Sequence, residues 1–282
     1  IRRQVGGLMG AEADTIAITP SVSYGTSIAA RNLPVRPGQT ILVLAREFPS
    51  NILIWRRKAE LSGARIHPVE RPAGASWTEA VLDAITGDVA LAALPQTHWI
   101  DGGSLDLEPI AAKLRQVGAA LALDLTQSLG VQPFDVRQVQ PDFVAAAGYK
   151  WMLGPYTLAY LYAAPQWHEG EPIEEGWANR DGSQDFSKLA DCSEVFSPGA
   201  RRFDMGERAH FHALPLATPG LDLLAALGPA EVARQLAIHC AALAEGCIAA
   251  GLAPTAAADR APHYLTAALP DNAPADLVDQ LA

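Results

Sequence analysis

The chain has 282 residues, 49% hydrophobic and 18% charged, with 21 basic and 31 acidic side chains and a formal net charge of −10. This apolar content excludes a disordered chain, and the acidic surplus excludes nucleic acid as the main partner, because neutralising phosphates needs a basic surface. No apolar run reaches the ~18 residues of a membrane span, so no membrane partner is expected. Three cysteines (Cys192, Cys240, Cys247) without metal-type spacing point to a reducing, cytoplasmic setting and to no metal centre.

Short apolar runs alternate with helical patterns along most of the length. The spacing predicts a helix over Ser23–Arg31, a strand over Ile41–Ala45, a helix over Ser50–Leu61, a strand over Ile66–Val69 and a helix over Ser76–Ile85. A strand over Val89–Leu94, a helix over Leu107–Gly118 and strands over Ala120–Leu125, Phe143–Ala147 and Thr157–Ala163 follow. Apolar runs of this length without strict alternation suit strands buried on both faces, as a parallel sheet requires. The rhythm points to an α/β fold with a mostly parallel, mixed sheet flanked by helices. Ser50 and Ser76 stand where N-caps are expected, and Gly63 and Gly118 where helices stop.

Residues 166–208 are polar and show no clear period. A stretch this long without elements is usually functional, so 171–208 is expected to cover a site. Two helices, 213–227 and 229–251, follow around a break near Gly228-Pro229. Residues 1–250 thus read as one large domain. A strand over Tyr264–Leu269 and a helix starting over Ala273–Ala282 read as the opening of a smaller α+β C-terminal domain, incomplete over 251–282. The chain starts at Ile1 rather than Met, without an apolar leader, and stops inside an expected helix, as a piece of a longer protein does.

Chemistry concentrates between Ala120 and Pro155. An apolar strand ends in Asp124, which places a carboxylate at the carboxyl edge of the sheet, where open α/β sheets bind ligands. Twenty-six residues later a second apolar strand ends in Gly148-Tyr149-Lys150. An acid and an amine therefore emerge at corresponding ends of successive strands. Lys150 lies between FVAAAGY and WML, poor company for a solvated lysine. A lysine desolvated in apolar surroundings has a lowered pKa and can act as a Schiff-base amine. A surface charge is the plain alternative for Lys150, and an N-cap for 126–130 is the alternative for Asp124.

Asp124-x-x-Gln127-Ser-x-Gly, then Pro-Phe-Asp-Val, Pro-Asp-Phe and Gly148-Tyr-Lys-Trp-x-x-Gly-Pro, resembles the core of the class V aminotransferase family. These are pyridoxal-phosphate (PLP) enzymes of fold type I, among them cysteine desulfurases, kynureninases and isopenicillin N epimerase-like proteins. The similarity runs from about Ala17 to Leu216, and makes the large domain a PLP-binding one. It implies PLP as cofactor, held by Lys150 as a Schiff base, with Lys150 also moving the substrate's α-proton. It implies Asp124 at the pyridine nitrogen, Gln127 at the phenolic oxygen and Thr126 against one ring face.

The resemblance extends upstream. Thr19-Pro-Ser-Val-Ser-Tyr-Gly matches the family's phosphate loop, which assigns the Val22 amide and the Ser23 hydroxyl to phosphate; alone, such a turn is an ordinary N-cap. Tyr149 adds a phenol to the same phosphate. Phe48 falls where desulfurases use a ring-stacking His, an offset contact worth about 0.5–1.5 kcal/mol, with a core Phe as the alternative. Tyr149 and Phe48 both lean toward kynureninases.

His98 and Trp99 follow the Val89–Leu94 strand and are candidate substrate contacts, with packing as the alternative for Trp99. Arg180 and Arg208, in the long polar region, are candidate carboxylate or phosphate contacts against a default of surface charges. The resemblance implies a homodimer with shared active sites and an amino-acid substrate. It points to an aminotransferase or a kynureninase-like lyase, with a cysteine desulfurase or an amino-acid epimerase as the alternative. A catalytically silent PLP-binding protein is the non-enzyme alternative. Desulfurisation needs a mobile cysteine that relatives place far downstream of the lysine; Cys192 is too close, and Cys240 and Cys247 read as small hydrophobes on a helix. No GxGxxG or P-loop supports a nucleotide-binding protein.

Overall fold

Apolar runs buried on both faces build the centre of the molecule: β2 (Thr40–Leu44), β4 (Val89–Pro95), β5 (Ala120–Asp124), β6 (Phe143–Ala147) and β7 (Ala159–Ala163). With β1 (Ile16–Thr19) and β3 (Arg65–Val69) they form a seven-stranded sheet of order β1-β7-β6-β5-β4-β2-β3. Strands β2 to β6 pair in parallel, whereas β7 runs antiparallel to both β6 and β1. β3 is an edge strand with exposed side chains, and it carries Pro68, which a central strand excludes. The computed structural model describes residues 1–270, 273, 274, 276, 279 and 280.

Helices α1 (Arg2–Met9), α2 (Val22–Asn32), α3 (Pro49–Ser62), α4 (Trp77–Ala84), α5 (Leu107–Val117) and the one-turn α6 (Val136–Val139) flank the sheet. They close two apolar cores on opposite faces, one around Trp55, Phe143 and Phe203, the other around Met9, Leu44 and Tyr160. Ser76 and Glu79 form a reciprocal capping box on α4, and Gly63 and Gly118 end α3 and α5 in the left-handed region. Ser50 is not a cap. Phe48 takes that position and Pro49 opens the helix, its fixed φ suiting the first helical residue.

α1 and β1 lie outside the expected set. β1 is only four residues long and is held by a distant carboxylate. Asp204 accepts from the Ile18 N–H at 2.8 Å and pairs with Arg2 at 2.6 Å and Arg208 at 3.5 Å. Residues 166–208 contain only short 3-10 turns, such as Trp177–Asn179 and Gly199–Phe203. α7 (Ala213–Leu227) and α8 (Pro229–Ala249) then meet at 82°; among the described residues no single helix is long and apolar enough to cross a membrane.

The strand expected over Tyr264–Leu269 shrinks to β9 (Ala267–Ala268), paired antiparallel with β8 (Ala253–Pro254). The preceding residues pack on the large sheet's loops instead of joining a ladder. Tyr264 fits against Gly102, where a Cβ would come within 2.4 Å of the Tyr264 Cβ and where φ is +65°. Of the helix expected to start over Ala273–Ala282, residues 275, 277, 278, 281 and 282 lie outside the described ones.

The turn joining β6 to β7 holds two non-glycine residues in the left-handed region, Leu153 (φ 57°) and Thr157 (φ 66°). For a β-branched side chain this conformation costs about 1–2 kcal/mol. Thr157→Gly is therefore expected to raise stability by roughly 1 kcal/mol, read as a higher thermal midpoint. A lower midpoint would mean that the Thr157 hydroxyl, which donates to the Tyr156 carbonyl at 2.6 Å, holds the turn.

Candidate active site

The register brings the ends of the strands to one edge. Pro95 stands beside Asp124 and Asp124 beside Ala145, while Ala147 and Thr19 flank Ala159. The loops leaving β1, β2, β4, β5 and β6 at this edge enclose a single cavity. Its walls carry Asp124, Thr126 and Gln127 after β5, and Tyr149 and Lys150 after β6. Phe48 after β2, Trp99 after β4, and Val22 and Ser23 from α2 complete the enclosure.

Asp124 is 9% exposed. One carboxylate oxygen accepts from the Thr126 N–H at 2.9 Å, and the Thr126 hydroxyl accepts from Ala147 N–H at 3.2 Å, which ties the end of β5 to the end of β6. Burial pushes the Asp124 carboxyl up from the ordinary carboxylate range, against the pull of Thr126 and of Lys150. Burial also lowers the Lys150 ammonium, while the charge of Asp124 raises it. Each group is driven toward its neutral form, so desolvation outweighs their mutual attraction.

The Lys150 ammonium lies 5.6 Å from the centre of the Phe48 ring, close enough for a cation–π contact. Phe48 keeps its ring partly exposed to the cavity and meets Trp99 edge to face at 5.3 Å, with the Trp99 N–H donating to the Arg46 carbonyl at 2.8 Å. Tyr149 stacks in parallel on Tyr156 at 4.2 Å. On the far wall, Ser21 caps α2 by accepting from the Tyr24 N–H, and its hydroxyl lies 2.9 Å from that of Ser23. The first turn of an 11-residue helix thus points its amides and two hydroxyls at the cavity, an arrangement that favours an anion.

Three candidates lie elsewhere. His98 is buried, its Nδ1 2.8 Å from Asp101 and its ring 4.9 Å from that of Trp77; it does not line the cavity. Arg180 pairs with Glu175, donates to the Glu194 carbonyl at 2.7 Å and lies 3.7 Å over the Phe196 ring. Arg208 joins the Asp204 cluster that secures β1. No residue of 171–208 lines the cavity.

Two titratable groups near the cavity had no role in the sequence reading. Glu47, in the same short motif as Phe48, lines the cavity; burial and the charge of Asp124 push its carboxyl up to about 7, against the Phe48 N–H, His98 and Asn51. His263 comes from the C-terminal segment, 136 residues from its partner Gln127, and no local signal marks it. Among the described residues no group of His, Cys, Asp and Glu side chains is placed to hold a metal ion.

The family model for aminotransferase class-V matches residues 1–200. An uncharacterized aminotransferase of Bacillus subtilis (strain 168), YcbU, is 27% identical over 241 residues, which cover 85% of this chain and 62% of that protein. An apo cysteine desulfurase from Thermococcus onnurineus NA1 has the same fold, with a TM-score of 0.82 at 22% identity over 99% of this chain and 70% of that one. A mutant of C-DES with glycine covalently linked to its PLP cofactor gives a TM-score of 0.79 at 23% identity, over 95% and 71%. The chain thus spans less than two thirds of the length of the curated relative.

Proposed function

Because this chain belongs to the aminotransferase class-V family, we propose that it is a PLP-dependent enzyme acting on an amino acid, as an aminotransferase or a kynureninase-like lyase. The observation that carries this reading is the buried Asp124 carboxylate on the wall of the cavity that also takes the Lys150 amine, both displaced toward neutrality by burial. Such a pair is a poor structural salt bridge. It suits a ligand that brings its own protonated ring nitrogen to the acid and its own carbonyl to the amine.

The other walls fit the same ligand. Phe48 offers a flat apolar cover, Gln127 an amide for a phenolic oxygen, and the first turn of α2 with Ser23 a seat for a phosphate dianion, to which Tyr149 adds a phenol. When bound, PLP supplies an electron-poor ring that accepts charge from the substrate's α-carbon. Asp124 holds the proton on the ring nitrogen, and burial makes that interaction stronger than it is in water. Lys150 would tether the cofactor through Nζ and move the α-proton with the same nitrogen, and burial, by lowering its pKa, favours the neutral amine that both tasks need. Thr126 orients Asp124, and Trp99 forms part of the substrate-side wall.

This reading keeps residues 1–250 as the PLP-binding domain and 251 onward as the start of a smaller one. It includes a cytoplasmic homodimer with shared active sites, supported by family membership and by three free thiols. A cysteine desulfurase or an amino-acid epimerase is the alternative on the same scaffold; Cys192, Cys240 and Cys247 lie away from the cavity. The test is spectroscopic. The purified protein with PLP is expected to gain a visible absorbance band that borohydride abolishes, leaving the label on the peptide that contains Lys150. An amino-acid panel with and without an α-keto acid then separates transfer from lyase chemistry. A protein that takes up no PLP would sink the proposal.

A further inference from the structure

The last described segment of the chain reaches back onto the loops of the large sheet. Ala261 N–H donates to the Gly102 carbonyl at 2.8 Å, Ser104 N–H to the Asp259 carbonyl at 3.2 Å, and the Thr266 hydroxyl to the Asp101 carbonyl at 3.0 Å. Arg260, 9% exposed, braces the segment from inside by donating to the Thr255 carbonyl at 2.7 Å. His263 projects from this anchored stretch between two loops that hold the proposed cofactor residues. Its Nε2 lies 2.6 Å from the backbone carbonyl of Gln127, three residues after Asp124. Its ring meets Trp151, the neighbour of Lys150, edge to face at 4.6 Å.

We propose that His263 is a positioning residue, fixing the 125–130 loop through the Gln127 carbonyl and the 148–152 turn through the Trp151 ring. The inference rests on the PLP reading for its consequence and on contacts alone for its mechanical part. A carbonyl can only accept, so Nε2 carries the proton and donates. Burial holds the ring's pKa down, to about 4, so the imidazole is neutral at pH 7 with Nδ1 unprotonated. Nδ1 has no hydrogen-bond partner among the described residues, which suits an unprotonated nitrogen packed against an aromatic neighbour. The contact fixes the peptide that presents the Gln127 side chain to the cavity. The 125–130 loop has further bonds of its own, Leu125 N–H to Ala145, Leu129 N–H to Leu125 and Ser128 N–H to Leu125; the last shares a peptide plane with the Gln127 carbonyl, so His263 adds a second bond, from outside the loop, to that peptide.

Three variants of the full chain separate the hydrogen bond from simple filling of space: His263→Ala, His263→Phe and His263→Gln. Phenylalanine keeps a ring against Trp151 and loses the N–H; glutamine keeps an N–H at a comparable reach. Amide hydrogen exchange in the PLP-free protein reads residues 125–130 and 148–152, and titration with PLP reads affinity. The Ala and Phe variants are expected to speed exchange in the 125–130 loop and to weaken PLP binding about tenfold, the effect of one buried hydrogen bond, while strands β2 and β4 exchange as in the wild type. The Gln variant is expected to recover most of both. A Phe variant that matches the wild type in exchange and affinity would overturn the proposal, because packing alone would then suffice. If the wild type takes up no PLP, the cofactor reading fails, and loop exchange still decides whether His263 holds Gln127.

Discussion

Lys150→Ala is expected to abolish covalent retention of PLP and to lower turnover by at least ~10³-fold, toward the upper range of losses for a proton-transfer group that also carries the reacting centre. The measurement is loss of the visible band and of the borohydride-fixed label in the peptide containing residue 150. The expectation is sharp because the other three lysines are engaged away from the cavity. Lys58 donates to the Ala30 carbonyl at 2.7 Å, Lys113 to the Leu82 carbonyl at 2.6 Å, and Lys188 pairs with Asp185 at 3.3 Å. A label transferred to any of these would overturn the assignment of Lys150. Lys150→Arg is expected to fail equally: a guanidinium stays charged at every accessible pH and cannot attack a carbonyl.

Asp124→Asn separates charge from shape. The amide oxygen can still accept from the Thr126 N–H, so the loop and covalent attachment at Lys150 are expected to persist. In the proposed role of Asp124, removing the carboxylate takes from the ring nitrogen of bound PLP the partner that would keep its proton. Turnover is then expected to fall by roughly 10²–10³, the size seen when one preorganised electrostatic contact is removed. Stability should move the other way. The folded-state pKa of Asp124 is raised above its unfolded value by burial, so the charged form is disfavoured in the fold. In the PLP-free protein this group's contribution is most favourable below the unfolded pKa and is lost as pH rises through the folded one. The Asn variant should therefore match or exceed the wild-type thermal midpoint at neutral pH, while the wild type alone gains on adding PLP through the Asp124 contact. An Asn variant that unfolds early and keeps full turnover would reverse both expectations.

The central strands were legible because burial on both faces leaves unbroken apolar runs, and β2, β4, β5 and β6 fall within a residue or two of their expected limits. The cavity residues around Asp124, Gln127 and Lys150 were legible for a related reason: each follows such a run, and the sheet puts the ends of parallel strands at one edge. What escaped depends on distant partners. β1 exists because Asp204 and β7 hold four residues in place, and neither is implied by Ile16–Thr19 itself. Ser50 looked like a cap because Ser is a good one, but Pro49 before it fixes the helix start. His98 stood in the right loop, yet its side chain turns to Asp101 and Trp77 rather than into the cavity, since a one-residue step along a strand's end reverses the face. Glu47 was in view and carried no spacing that marked it.

The contacts made by the C-terminal segment also bear on how the protein comes into being on the ribosome. The bond from His263 closes a span of 136 residues, and that from Thr266 one of 165. Contacts of such separation form late, because the chain must be closed over a long interval before they return any stability. Asp124 and Lys150 emerge from the ribosome more than a hundred residues ahead of His263, and the sheet edge around them can assemble while synthesis continues. The nascent chain thus presents the walls of the cavity before the clasp that steadies them. Firm capture of a cofactor then follows the synthesis of residue 263, and a chain truncated before residue 259 is a better test of that order than one truncated inside the sheet.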